Sequence, residues 1–138
     1  MIVEDEVVVA MNLREVLIET GFQVLDLTIR QAEALEVARA GKPDLALVNI
    51  QLADGDDGIE LAVQLEALSI PVVFISGQIS RARSANTVAI ASMPKPYEPN
   101  EMAVAVAYLL ARLRGSTALA RPDRLEVFDE SLGLEPAL

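Results

Sequence analysis

The chain contains no cysteine, no histidine and no tryptophan. Without thiolates or imidazoles it has no disulfide framework, no usual zinc site and no triad that needs a histidine base. Aromatics are only 4% of the residues, so Ala, Val, Leu and Ile must fill the core. Positive charge is also scarce: 11 Lys and Arg face 21 Asp and Glu, a formal net charge of -10. Such a surface repels phosphate backbones, and no nucleic-acid partner is expected. Charged residues interrupt every apolar run before it reaches the roughly 18 residues of a membrane span. Met1 to Val3 is too short for a signal peptide, and a cytoplasmic protein with no membrane partner is expected.

What is present suits one domain. Over 138 residues, 52% hydrophobic content supports a sizeable core. Short apolar runs alternate with longer amphipathic segments over residues 1–114, and Gly, Pro or polar residues punctuate them. Strands are expected at Met1–Val3, Phe22–Leu27, Asp44–Asn49, Pro71–Ser76 and Val88–Met93. Helices are expected over Val7–Thr20, from a capping box at Thr28–Gln31 through Arg39, over Ile59–Leu68, over Gln78–Thr87 and over Asn100–Arg114. Gly21 and Gly41 serve as helix stops, Pro71 ends a helix and Pro99 starts one.

Five strands each followed by a helix, with runs apolar on both sides, predict an α/β domain. The expected form is a flavodoxin-like, doubly wound, five-stranded parallel sheet with helices on both faces. In such sheets a ligand site lies beyond the carboxyl ends of the strands. The residues there are Glu4 and Asp5, Asn49, Ser76 and Lys95.

Those positions carry a family resemblance. Ile2-Val3-Glu4-Asp5-Glu6 resembles the acidic start of the receiver domains of two-component response regulators, and Lys95-Pro96-Tyr97 resembles their Lys-Pro-aromatic motif. Asn49-Ile50-Gln51-Leu52 stands where that family places its phosphoacceptor, and Ser76-Gly77 matches the small hydroxyl pair after the fourth strand. The resemblance covers residues 1–114 and implies a CheY-like fold. It also implies a signalling role, with no enzyme activity of the chain's own. By resemblance Glu4, Asp5 and the Gln51 carbonyl would be ligands of Mg²⁺, Ser76 the switch hydroxyl and Lys95 the phosphate partner. Hard-cation coordination and charge neutralisation during phosphoryl transfer call for those residue types. The loop after Asn49 also resembles receivers of bacterial general-stress regulators.

Three departures shape the functional expectation. Asn49 is a carboxamide, whose neutral oxygen and resonance-tied nitrogen cannot attack phosphorus. It also removes one anion from the metal site, so only a weakened Mg²⁺ site is expected. Ser92 stands three positions before Lys95, where such receivers commonly carry a switch aromatic. Only three residues precede the acid pair. The leading expectation is therefore a stand-alone pseudo-receiver. It would take part in phosphorelay signal transduction by contacting a histidine kinase, a phosphotransfer protein or a regulator, without phosphorylation at Asn49. A weak homodimer through Ala103, Val106, Ala107 and Leu110 of the last helix is also expected.

Two other readings stay open. In one, Asn49 is an engineered replacement in an ordinary phosphoaccepting receiver. In the other, the strand-end crevice of a flavodoxin-like module holds a small ligand, although no Gly-rich loop follows the first strand. The acidic run Asp54-Gly55-Asp56-Asp57-Gly58 is not a calcium loop, because Leu65 stands where the twelfth-place Glu belongs. Residues 115–138 form a tail with two arginines against five acids, including Glu130 and Glu135. Leu125, Val127, Phe128, Leu132 and Leu134 give it apolar surface, and docking on the domain and disorder are both open for it.

Overall fold

A computed structural model describes residues 1–129 and 131; Glu130, Leu132, Leu134 and Glu135 lie outside the described residues. The element order is β1 (Ile2–Val3), α1 (Val7–Thr20), α2 (Gln31–Gly41), β2 (Ala46–Asn49), a 3-10 turn (Ala53–Gly55), α3 (Gly58–Ala67), β3 (Val72–Ser76), α4 (Ile79–Ser84), β4 (Ala91–Pro94), α5 (Pro99–Leu113) and β5 (Glu126–Val127). Helix ends follow local chemistry. Gly21 closes α1 at φ 108°, a left-handed geometry that costs glycine little. Asp57 caps α3 by accepting the Ile59 N–H at 2.8 Å. Pro99 opens α5 within a reciprocal capping box of Glu98 and Glu101. The capping box expected at Thr28–Gln31 does not form: Arg30 precedes α2 and makes no side-chain cap.

β1, β2, β3 and β4 pair in parallel in that order, as expected for the doubly wound architecture. Side chains alternate between two cores. Val3, Val48, Val72 and Phe74 face one core with Ala34 and Ala38 of α2 and Leu61 and Leu65 of α3. Ile2, Leu47, Val73, Ile75 and Met93 face the other with Leu13 and Leu17 of α1 and Met102, Tyr108 and Leu109 of α5.

Two strand expectations need correction. Phe22–Leu27 is not a strand; Thr28 alone makes a parallel bridge, to Val3. Its carbonyl accepts the Glu4 N–H at 3.0 Å and its own N–H donates to Ile2 O at 3.3 Å. A two-residue β1 has little more edge to offer, so Phe22, Val24 and Leu27 pack by side chain without joining a ladder. The fifth strand comes instead from the tail: β5 pairs antiparallel with β4, Ala91 opposite Val127 and Ser92 opposite Glu126. The sheet is thus mostly, not wholly, parallel.

The dimer patch also changes. Ala103 and Val106 are only 4% and 6% exposed, because this side of α5 packs within the core shared with α1. On α5 the exposed hydrophobics are Val104 and Leu113, and the four expected residues do not form an open surface.

Candidate functional site

The carboxyl ends of β1, β2, β3 and β4 deliver Glu4, Asn49, Ser76 and Lys95 to one end of the sheet. β1 stops after two residues, so Glu4 turns inward and is only 1% exposed, whereas Asp5 is exposed. Asn49 closes β2 and is 6% exposed. Its side-chain nitrogen donates to Glu4 Oε2 at 2.7 Å, to Asp5 Oδ1 at 3.0 Å and to the Gln51 carbonyl at 2.7 Å. Reversing the carboxamide would aim its oxygen at three other oxygens, so the surroundings fix its orientation. The three groups the sequence offered as metal ligands therefore do converge, and they converge on an N–H donor.

Lys95 lies on the opposite side of Glu4, its Nζ 3.3 Å from Glu4 Oε1 and 3.9 Å from Glu6 Oε1. Glu4 Oε1 makes no aligned hydrogen bond, so this contact is ion-pair attraction without directed donation. Burial raises the Glu4 carboxyl above its usual range, and the Lys95 charge pulls it partly back. Tyr97, beside them, is pushed up to about 12 by burial and by the nearby Glu4 and Glu6 charges.

Ser76 is 3% exposed at the end of β3. Its hydroxyl oxygen accepts the Gln78 N–H at 2.8 Å, and its carbonyl accepts the Lys95 N–H at 2.9 Å. The second bond ties the Lys95 loop to the end of β3.

Sequence reasoning missed three contributors. Glu6 supplies a second acid for Lys95. Gly58 lets the start of α3 approach β2: a Cβ there would stand 2.8 Å from the Ile50 Cα and closer still to the Asn49 carbonyl oxygen. In the sequence Gly58 is only the last residue of the acidic run that begins at Asp54. Arg124 lies far along the chain, yet donates to the carbonyls of Pro94 at 3.2 Å and Pro96 at 2.6 Å, one on each side of Lys95. An isolated arginine in an acidic tail gave no signal of that contact.

Residues 1–107 match the family described as response regulator receiver domain. The chain belongs to this family. It is 31% identical over 125 residues to the transcriptional regulatory protein PdtaR of Mycobacterium tuberculosis, covering 86% of this chain and 60% of that one. It is 30% identical over 113 residues to the phyllosphere-induced regulator PhyR of Methylorubrum extorquens, covering 80% and 42%. This receiver thus spans about half the length of these two relatives. Among solved structures, the signal receiver domain of a modulated diguanylate cyclase from Desulfovibrio desulfuricans G20 superposes with a TM-score of 0.72 at 30% identity, covering 82% of this chain and 93% of that one. The response regulator PhyR from Brucella abortus gives 0.63 at 32%, covering 72% and 42%. The two curated relatives are both named as regulators.

Receiver domains typically bind Mg²⁺ at the acidic site. Here the oxygens suited to a hard cation all accept from Asn49 Nδ2. An amide N–H cannot ligate a metal, and the Lys95 ammonium adds positive charge to the same buried carboxylate. No group of three or more Asp and Glu side chains able to hold a metal occurs among the described residues. As arranged here, these oxygens are satisfied by the Asn49 amide N–H rather than left open to the ion. Among the described residues, no helix is long and apolar enough to cross a membrane.

Proposed function

We propose that this chain is a pseudo-receiver, a response regulator module of phosphorelay signalling that acts by protein contact and takes up no phosphoryl group at Asn49. The carrying observation is the triple hydrogen bond from Asn49. A carboxamide stands at the end of β2, where an attacking carboxylate would be needed, and its nitrogen is engaged with Glu4, Asp5 and Gln51. No anionic oxygen is offered at this position, and phosphoryl transfer needs one in line. The same three bonds stand in for a cation, and we assign the site no Mg²⁺ requirement. Ser76 and Lys95 keep the places of switch hydroxyl and phosphate partner, but in this reading they brace the loops instead.

Receiver domains interact with kinases, phosphotransfer proteins or regulators. One neighbour, PhyR of Bartonella quintana, is itself described as an anti-anti-sigma factor. We assign this chain a protein partner of that general kind in the cytoplasm, with no nucleic-acid contact, in keeping with its net charge of -10.

The test is incubation with Mg²⁺ and a small-molecule phosphodonor, followed by intact-mass measurement. The unsubstituted chain is expected to stay unmodified. A stable, base-labile phosphoryl adduct on it would overturn the reading. Partner recovery from the source cell should be equal for the unsubstituted and Asn49→Asp forms.

A further inference from the structure

The outer edge of β4 would be an open row of backbone donors and acceptors, the kind of edge that recruits a further strand. Residues 124–129 occupy it. Beyond the two β4–β5 pairs, the Phe128 and Asp129 N–H groups both donate to the Ile90 carbonyl, at 2.7 and 3.2 Å. Leu125 is 3% exposed in the α1–α5 core, and Phe128 packs against the opposite core. The segment therefore places Leu125 and Val127 on one side of the sheet edge and Phe128 on the other.

Polar contacts specify it further. Glu126 receives both its hydrogen bonds from Arg83 Nε, at 2.8 and 3.0 Å. Arg124 reaches the Pro94 and Pro96 carbonyls and pairs with Glu101 at 2.8 Å. Ser92, small and buried, sits opposite Glu126 in the register, so no bulky side chain crowds the seat. The stretch from Leu113 to Arg121 is mostly exposed and carries no helix or strand after α5. It reads as a tether, not as a packed part of the domain.

We propose that the β4 edge is a recognition surface for an extended protein strand of the pattern Arg-apolar-acidic-apolar-aromatic. In the isolated chain it is filled by the chain's own Arg124-Leu125-Glu126-Val127-Phe128. Backbone pairing supplies general affinity, and the Leu125 seat, Arg83 and the Pro94 and Pro96 carbonyls supply selectivity. A partner strand of that pattern gains entry by displacing the tail. Arg124 holds the carbonyls flanking Lys95, and the leading arginine of an incoming strand takes over that contact. This inference stands on the sheet edge and is independent of whether Asn49 accepts phosphate.

The test uses a fluorescent peptide of residues Arg121 to Asp129 with three full-length proteins: the unsubstituted chain, Leu125→Asp/Val127→Asp, and Arg124→Ala. A tether of this length holds the tail at an effective concentration on the order of mM, so the peptide should bind the unsubstituted chain only at about mM or weaker. The double variant, whose own tail no longer seats, is expected to bind it at least ~10-fold more tightly, with Arg124→Ala in between. Protection of the Ile90 amide, which bonds Val72 O, reports that each variant is folded. Equal binding by all three proteins, or no binding by a folded Arg124→Ala and a folded double variant, would overturn the proposal. Arg124→Ala retains the apolar seat and keeps the question decidable should the double variant fail to fold.

Discussion

The side-chain nitrogen of Asn49 lies 2.7 Å from Oε2 of Glu4, a carboxylate almost wholly removed from water. A buried carboxylate needs donors or a countercharge. Asn49 gives Glu4 the donor, and Lys95 gives it the charge.

Replacing Asn49 by Asp reverses that relationship. Three carboxyl groups would then crowd one another with no N–H among them. Asn49→Asp is expected to lower stability by about 2 kcal/mol or more in the absence of divalent cations. Mg²⁺ should restore much of the loss through linkage while leaving the unsubstituted chain's melting temperature unchanged. Thermal unfolding with and without Mg²⁺ measures both effects, and an equal rise for the two proteins would refute the assignment.

Glu4 makes stability depend on pH in a direction opposite to the usual acid. Its carboxyl is raised above 4.5 in the folded chain, so within the window from 4.5 up to that raised midpoint the native state keeps a proton the unfolded state has lost. Its contribution therefore falls as pH rises through that window and is level on either side. Lys95→Met removes the attraction that lowers the carboxyl and should move the Glu4 midpoint higher still. Carboxyl NMR titration reads the midpoint, and a Glu4 midpoint below 4.5 would contradict the burial argument.

Gly58→Ala tests the close approach of α3 to β2. With the Ile50 Cα 2.8 Å from the added methyl and the Asn49 carbonyl nearer, backbone must shift on one side or the other. A loss of about 3 kcal/mol is expected. The Asn49 side-chain amide resonances should move with it. A neutral substitution would show that the loop yields freely.

Tyr97→Phe should go the other way. The Tyr97 hydroxyl is buried without a hydrogen-bond partner. Its removal is expected to leave stability unchanged or raise it by about 1 kcal/mol. Chemical denaturation checks this, and a loss above that size would mean the hydroxyl is bonded in solution.

Much of the site was legible because its residues stand where strands end, and strand ends were marked by punctuation: Glu4 before a helix, Asn49 before an acidic loop, Ser76 before Gly77, Lys95 between prolines. Periodicity misled at Phe22–Leu27, where the pattern of a strand exists but a two-residue β1 leaves it nothing to pair with. It could not foresee β5, since pairing across more than 30 residues depends on an edge being free, which is a property of the sheet and not of the tail. Apolar spacing on α5 marked a packing face correctly but could not say that its partner was α1 instead of a second copy. The direction of the Asn49 amide was set only once the folded chain had gathered its three acceptors.

The donor that satisfies Glu4 is covalently part of the chain. It has no dissociation rate, and no chelator, competing ion or change in cellular cation supply can titrate it away. On the pseudo-receiver reading proposed above, control over this protein is exercised through copy number or through whatever grips its rim, and the time over which it responds is set by synthesis, turnover and encounter rather than by the lifetime of an acyl phosphate.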